Sequence, residues 1–313
     1  MHSESKTLPK LIVLLGPTTC GKTEWSLRLA KKINGEIISA DSRQIYKNMS
    51  IGTAKILGVW EWNGLRRTYV VDGIFHHLID FLNPGKTFTV AEFRDRTIKH
   101  VKLIIKNKRI PIIAGGTGMY ISSVVDNWHI PQIGANKKLR QSLEEKSCEE
   151  LTDLLGKMDQ DIIKTIDQKN KRRLIRALEV CIMSGEPFSK QRKKGEPIFS
   201  ILQIGIDTDK ELLDARINDR IDNMIQNGLV DEISKLLKQK YSWNLPSMSG
   251  IGYKQFKGYF KNEYGLEKAI ELLKRDTRHL ARKQLTWFRR DQRIKWCKTY
   301  DEAEKMVDEF LAK

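Results

Sequence analysis

Long apolar runs are missing from this chain of 313 residues. No stretch approaches the ~20 apolar residues that a bilayer-crossing helix needs, so a spanning helix is excluded. The first ten residues are polar and offer no apolar signal core, so secretion is not expected. Cysteine is scarce. Cys20, Cys148, Cys181 and Cys297 lie far apart with no CxxC pair, which points to a reducing compartment and to neither disulfides nor a zinc site. The six histidines show no metal-ligand spacing, and the adjacent pair His76-His77 would point to opposite sides of a strand. Internal repeats and low-complexity tracts are absent as well. Acidic residues are in deficit, 39 against 56 Lys and Arg, which leaves a formal charge of +17. Such an excess attracts polyanions, and nucleic acid is the usual one. The alternative is a solvated basic surface.

What the chain does have is organised around residues 11–23, LIVLLGPTTCGKT. The apolar residues 11–15 predict a short buried strand. Gly16, Gly21, Lys22 and Thr23 then fit the phosphate-loop spacing. The glycines let several backbone N–H groups converge on one small space, and the helix expected at 24–32 adds its N-terminal donors. Lys22 supplies a mobile charge, and the Thr23 hydroxyl can ligate magnesium. This loop specifies a phosphate, ATP included, without specifying which compound binds or which bond breaks.

Further along, residues 36–41 predict a second strand ending in Asp41-Ser42-Arg43-Gln44. Ligands of open α/β sheets bind beyond the carboxyl ends of strands, so Asp41 is expected on the rim of the phosphate loop. A carboxylate there can take a proton, hold magnesium or cap the next helix. Residues 48–74, broken by four glycines, predict loop with local structure. Residues 87–106 predict a helix with Val90, Phe93, Ile98, Val101 and Ile105 inward. A third strand at 109–114 ends in Gly115-Gly116-Thr117-Gly118. Those glycines would admit a ligand close to the backbone. Many nucleotide-cleaving phosphate-loop enzymes carry a magnesium-binding acid at such a strand end, which this one lacks.

From about residue 129 to 195 strand signals vanish and helices are predicted at 137–157 and 171–184, with a basic loop, SKQRKK, at 189–194. Leu174, Ile175, Leu178 and Cys181 share one face of the second helix, and Arg172 and Arg176 are surface neighbours. The predicted organisation is a core of residues 1–128 and 196–313, basic at its C-terminal end, with a helical insertion at 129–195. A strand returns at 199–206, followed by a long helix at 210–240, where Arg216 and Arg220 can face one anion. Residues 273–298 hold ten Lys or Arg against two Asp, interleaved with Trp287, Phe288 and Trp296. Arginines there would neutralise phosphates, and aromatics would either stack on bases or join the core.

Taken in series, these motifs resemble the tRNA dimethylallyltransferase (tRNA isopentenyltransferase) family of bacterial type. The matching stretches are GPTTCGKT (16–23), SADSRQIYKNMSIGTAK (39–55), HHLID (76–80), FTVAEFR (88–94), GGTGMYI (115–121), NKRRLIRALEV (170–180), GIGYK (250–254) and ARKQLTWFRR (281–290). Residues 56–74 match poorly, and Cys20 stands where serine is common. The resemblance implies an α/β phosphate-loop fold, a parallel sheet flanked by helices with an α-helical insertion. It implies prenyl transfer from dimethylallyl diphosphate, with Mg2+, to N6 of adenosine-37 beside the anticodon of certain tRNAs. Diphosphate would be held by Gly16, Pro17, Thr18, Thr19, Cys20, Gly21, Lys22 and Thr23, with Thr23 on the metal. Asp41 would be the general base, Arg220 a diphosphate contact, and Thr117 an orienting group. The tRNA anticodon stem-loop would meet Asp41, Ser42, Arg43, Gln44, Arg172, Arg173, Arg176, Gly252, Tyr253, Lys254, Arg282, Lys283, Gln284, Trp287, Arg289 and Arg290. A cytoplasmic monomer is expected. Two other enzymes share parts of this pattern: an adenylate isopentenyltransferase, which would not need the basic C-terminal cluster, and a small-molecule kinase. A non-catalytic RNA-binding protein would not need Lys22, Thr23 and Asp41 together.

Overall fold

The computed structural model describes residues 8–64, 66–130, 133–191 and 194–313. Arg192 and Lys193 of the expected basic loop, and the first seven residues of the polar start, lie outside the described residues.

β1 (Lys10–Leu15) is an interior strand of an eight-stranded sheet. Its residues 11–15 are wholly buried, as a strand covered on both faces requires. The phosphate loop leads into α1 (Lys22–Lys32), and β2 (Gly35–Ser39) follows. The glycine-broken stretch is not the loop that its composition predicts. β3 (Val59–Asn63), β4 (Arg66–Val71) and β5 (Ile74–His77) form an antiparallel meander on the edge of the sheet. Gly64 (φ 61°) and Gly73 (φ 76°) sit at its two turns in left-handed backbone that other residues resist. Glycine there marks hairpins rather than disorder of pattern.

α2 (Val90–Lys106) starts after a capping box between Thr89 and Glu92. Its buried residues are Phe93, Thr97, Val101 and Ile104, so the inward stripe is rotated slightly from the expected one. β6 (Ile110–Gly115) then inserts between β1 and β2, and α3 (Gly118–Val125) follows. Tyr120 of α3 stacks on Phe93 of α2 at 4.1 Å, so the tyrosine of GGTGMYI is a packing residue.

The chain divides into two compact units, one running to Val124 and resuming with Ile198–Lys313, the other Val125–Pro197. The second unit holds α4 (Lys137–Glu144), α5 (Cys148–Met158), α6 (Gln160–Ile163), α7 (Lys171–Ser184) and α8 (Phe188–Gln191). The single helix expected at 137–157 is two helices. Ser147 accepts from the Glu150 N–H (3.1 Å) while Glu150 accepts from the Ser147 N–H (2.7 Å). A capping box of this kind, worth about 1 kcal/mol, starts a new helix. Leu151, Leu155, Leu174, Ile175 and Leu178 form this unit's core.

β7 (Ser200–Ile206) returns to the sheet beside β1. The expected helix at 210–240 is likewise split, into α9 (Lys210–Gln226) and α10 (Leu229–Lys238), by Asn227-Gly228. A 3-10 turn (Lys254–Phe256) and α11 (Lys257–Phe260) precede α12 (Leu266–Phe288). β8 (Lys295–Cys297) closes the other sheet edge, and α13 (Tyr300–Ala312) ends the chain. The full order is β3-β4-β5-β2-β6-β1-β7-β8, with β5 to β8 parallel. Trp296, one of the aromatics expected either to stack on bases or to join the core, lies on β8 against Gly205, where any Cβ would stand 2.6 Å from its ring.

Candidate active site

A cavity of about 1040 Å³ opens at the carboxyl ends of the central strands. The first unit supplies all of it. Thr18 to Thr23 of the phosphate loop form one wall; Gly16 and Pro17 lie behind it. Gly16 packs on Cys20, whose thiol is buried, and the Pro17 carbonyl accepts from Lys22 Nζ. The Lys22 ammonium is thus folded back over its own loop, with Cys20 Sγ 3.6 Å away. A phosphate entering the loop would offer that ammonium a charged partner in place of a carbonyl. Thr23 is exposed on the cavity in the first turn of α1.

Asp41 leaves the end of β2 into the same cavity. Its Oδ1 accepts from the backbone N–H groups of Arg43 (2.8 Å) and Gln44 (3.3 Å). The capping reading of this carboxylate therefore holds at one of its two oxygens. One oxygen fixes its orientation, and the other has no protein hydrogen-bond partner among the described residues. Thr117 stands beside it: its hydroxyl accepts from the Ser42 N–H (3.0 Å), and its own N–H donates to Ala40 (3.1 Å). Thr117 holds the Asp41 loop in place.

Arg220, on α9, lines the cavity with Nη1 3.5 Å from the Thr18 hydroxyl. Burial lowers its guanidinium from the usual arginine value, opposed by the Cys20 and Asp41 charges. Arginine remains cationic through such a shift. Arg216, one turn earlier, lines the cavity too. Neither arginine has an ion-pair partner among the described residues. Asp222, two residues beyond Arg220, pairs instead with Lys274 at 2.6 Å. Arg220 is half-buried and Arg216 exposed on the cavity; an unpaired cation partly withdrawn from water is costly, and a bound anion would relieve it.

Several residues expected to meet a ligand have structural partners. Gln284 is a clamp: its Oε1 accepts from the Thr18 N–H and its Nε2 donates to the Gly116 carbonyl, both at 2.8 Å. Both ends of the amide are spent joining the phosphate loop to the Gly-Gly-Thr turn. The glycines of that turn admit protein rather than ligand. A Cβ on Gly116 would stand 2.4 Å from Gln284, and one on Gly118 2.3 Å from Trp287. Gln44 likewise donates to the carbonyls of Thr53 and Ala54. Tyr253 is 1% exposed, so the contact with tRNA expected of it is corrected to a core role. Its hydroxyl donates to Glu232 (2.8 Å), and burial raises its pKa well above the ordinary tyrosine value.

Glu232 was invisible in the sequence pattern. It also accepts the N–H groups of Ser50, Ile51 and Gly52 at 2.8–3.0 Å, so one carboxylate ties SIGTAK to GIGYK. Lys55 and Asp80 do the same for SIGTAK and HHLID, through a buried 2.6 Å ion pair. Burial lowers the Lys55 pKa, partly offset by Asp80. No spacing in the chain signals either link, because both partners are remote in sequence.

The basic residues fall into two groups. Lys254, Lys283 and Trp287 line the cavity beside Ser42, Arg43 and Gly252. Arg282, Arg289 and Arg290 are exposed on or just after α12, with only loose pairs to Asp214 (4.0 Å) and Asp207 (3.6 Å). Phe288 is core. In the helical unit Arg172 and Arg173 are exposed on α7. Arg176 differs: it pairs at 2.6 Å with the buried Glu179, which Arg140 also grips at 2.7 Å. Despite burial, those two arginines hold the Glu179 carboxyl down at about 2. Among the described residues no cluster of three or more His, Cys, Asp or Glu could hold a metal.

Residues 44–291 match the model of a family described as IPP transferase. A tRNA dimethylallyltransferase of Carboxydothermus hydrogenoformans is 41% identical over 96% of this chain and 96% of its own length. One from Clostridioides difficile is 40% identical over 98% of this chain and 97% of its own. Among solved structures, the full-length tRNA isopentenylpyrophosphate transferase of Bacillus halodurans superposes with a TM-score of 0.69. It is 35% identical, over 97% of this chain and 95% of its own. A eukaryotic dimethylallyltransferase acting on tRNA gives 0.74 at 27% identity, over 89% of this chain and 69% of its own.

Proposed function

The chain belongs to the IPP transferase family, and from that premise and the cavity we infer its reaction: a dimethylallyl group passes from dimethylallyl diphosphate to tRNA. The observation that carries the chemistry is the meeting of a phosphate loop, two unpaired arginines and Asp41 in one cavity.

The acceptor is the N6 amine of adenosine-37, next to the anticodon. N6 attacks the first carbon of the dimethylallyl group, the bond from that carbon to the bridging diphosphate oxygen breaks, and diphosphate leaves with the bonding electron pair. The N6 proton goes to Asp41. Neutral adenine N6 is a weak nucleophile, so a positioned carboxylate has a clear task, worth typically 10²–10⁴ in rate. Thr18 to Thr23, Lys22 and Arg220 hold the diphosphate, and their donors grow more valuable as charge builds on the leaving oxygen. Losing the Arg220 contact would cost about 1.5–3 kcal/mol, one to two decades in rate. Thr117 acts through Asp41 by fixing its loop.

Mg2+ fits the oxygen-only donors here. The Thr23 hydroxyl would hold it together with diphosphate oxygens and water, and the ion would neutralise leaving-group charge. The exposed arginines of α12 and of α7 serve the anticodon stem-loop by neutralising its phosphates. The target base leaves its stack to reach Asp41, which a single-stranded loop allows at low cost. The protein acts as a monomer in the cytoplasm.

One incubation tests this: radiolabelled dimethylallyl diphosphate and magnesium with either unmodified tRNA bearing adenosine-37 or free AMP. Label in tRNA alone is expected. Label in AMP alone would move the acceptor to a free nucleotide, and label in neither would overturn the reaction.

A further inference from the structure

The β3–β4 hairpin falls in the stretch 56–74 that matches the family motifs poorly, and it carries an aromatic side chain that packing does not account for. Trp60 is accounted for: its ring meets Tyr69 edge-on at 5.6 Å and its Nε1 donates to Asp80 (3.2 Å). Trp62, two residues on and on the same face, is 73% exposed. Its cross-strand partner is Arg67, whose guanidinium lies 6.0 Å from the Trp62 ring centroid. Arg67 has no carboxylate partner among the described residues.

Strand register locates this pair. Tyr69 pairs with His76, and His76 pairs with Ile37 of β2. β4 runs against β5, so Arg67 and Trp62 stand two residues further toward the carboxyl end of β2, level with Ser39. Asp41 is two residues beyond that. β4 is the second strand out from β2 and β3 the third. At 4.7–4.9 Å per strand, Trp62 lies about 14 Å across the sheet from the strand that carries Asp41. The hairpin thus turns on the rim where the reaction is placed.

We propose that Trp62 and Arg67 dock an unpaired nucleotide of the RNA acceptor, a neighbour of the one that reacts at Asp41. This rests on the RNA-prenylating reaction inferred above. An exposed indole beside a planar, unpaired cation suits a splayed base and its phosphate: the base stacks on Trp62 and Arg67 neutralises the phosphate. The chain's charge of +17 favours the same polyanion. Addition of a strand from a second copy is disfavoured, because β3 is only five residues long and carries the exposed charge of Glu61 at its middle.

Dissociation constants for labelled tRNA are measured for wild type, Trp62→Ala, Trp62→Phe and Arg67→Gln at several salt concentrations, beside steady-state transfer. Trp62→Ala should weaken binding about tenfold, the scale of one lost base–aromatic stack. Trp62→Phe should restore most of it. Arg67→Gln should weaken binding and lower the slope of log affinity against log salt by about one. The turnover at saturating tRNA and the KM for dimethylallyl diphosphate should stay at wild-type values. Unchanged affinity in both Trp62→Ala and Arg67→Gln overturns the proposal. So does a wild-type dimer that Trp62→Ala dissociates without weakening tRNA binding, which would assign the edge to a second copy. Wild type that binds tRNA but transfers no label refutes the reaction alone, since the affinities are read without chemistry.

Discussion

In the proposed reaction Asp41 carries two tasks on one side chain. Oδ1 is held by two backbone N–H groups, and the second oxygen has no protein hydrogen-bond partner among the described residues. Asp41→Asn keeps an acceptor for those N–H groups while removing the base. We expect single-turnover transfer to fall by about 10²–10⁴, with tRNA affinity nearly unchanged. A rapid-quench measurement with saturating enzyme checks this, and an unaltered rate would remove Asp41 as the base. Other residues sort by how many partners they already have. Gln284 and Tyr253 spend their polar atoms inside the protein and Gln44 its amide nitrogen, whereas Arg216 has no protein partner among the described residues and Arg220 only a long contact with Thr18. A polar group without a protein partner at a cavity wall is the one with something left to offer a ligand.

Among the elements, α12 does two jobs on two faces. Ala269, Leu273, Thr277 and Ala281 recur every four residues and bury one stripe. Lys283, Gln284 and Trp287 reach the cavity, and Arg282, with Arg289 and Arg290 just beyond the helix, faces solvent. Alanine at Arg282, Lys283, Arg289 and Arg290 together should weaken tRNA binding and flatten its salt dependence. Each lost phosphate contact should lower the slope of log affinity against log salt by about 0.7–0.9. Equilibrium binding across a salt series measures it, and an unchanged slope would make the cluster only a solvated face. The exposed pairs with Asp207 and Asp214 are too loose to change this expectation.

On the scale of the whole molecule, the sheet-bearing unit includes a buried histidine that makes its stability depend on pH. Burial pushes the His76 pKa down to about 4. Unfolded histidine titrates near 6.5, so between those values the unfolded chain binds the extra proton. The contribution of neutral His76 is complete above pH 6.5 and is lost as pH falls toward 4. The shift is worth on the order of 3 kcal/mol. His76→Asn should therefore lose less stability than wild type between pH 7 and pH 4.5, by on the order of 2 kcal/mol. Urea midpoints at the two pH values decide it; equal losses would show that His76 does not govern this window.

Features whose physics is local were legible in the residues alone. A phosphate loop needs only a strand, a glycine-bounded turn and a helix in series, and residues 11–32 contain all three. The strand ending at Asp41 and the face of α7 formed by Leu174, Ile175, Leu178 and Cys181 were legible for the same reason, as were the family motifs themselves. The two helix breaks belong with the local features, since the Ser147–Glu150 capping box and Asn227-Gly228 are written in the sequence and outweigh the continuous amphipathic pattern. The tertiary structure alone decided what depends on partners distant in the chain. It made the glycine-broken segment a hairpin meander, because strand pairing to β2 supplies what local pattern does not. It tied the Gln284 amide to the cavity wall and buried Tyr253, because their partners at Thr18, Gly116 and Glu232 lie far away in sequence. It also left Trp62 outward at the sheet edge, where burial, which no residue's identity announces, failed to claim it.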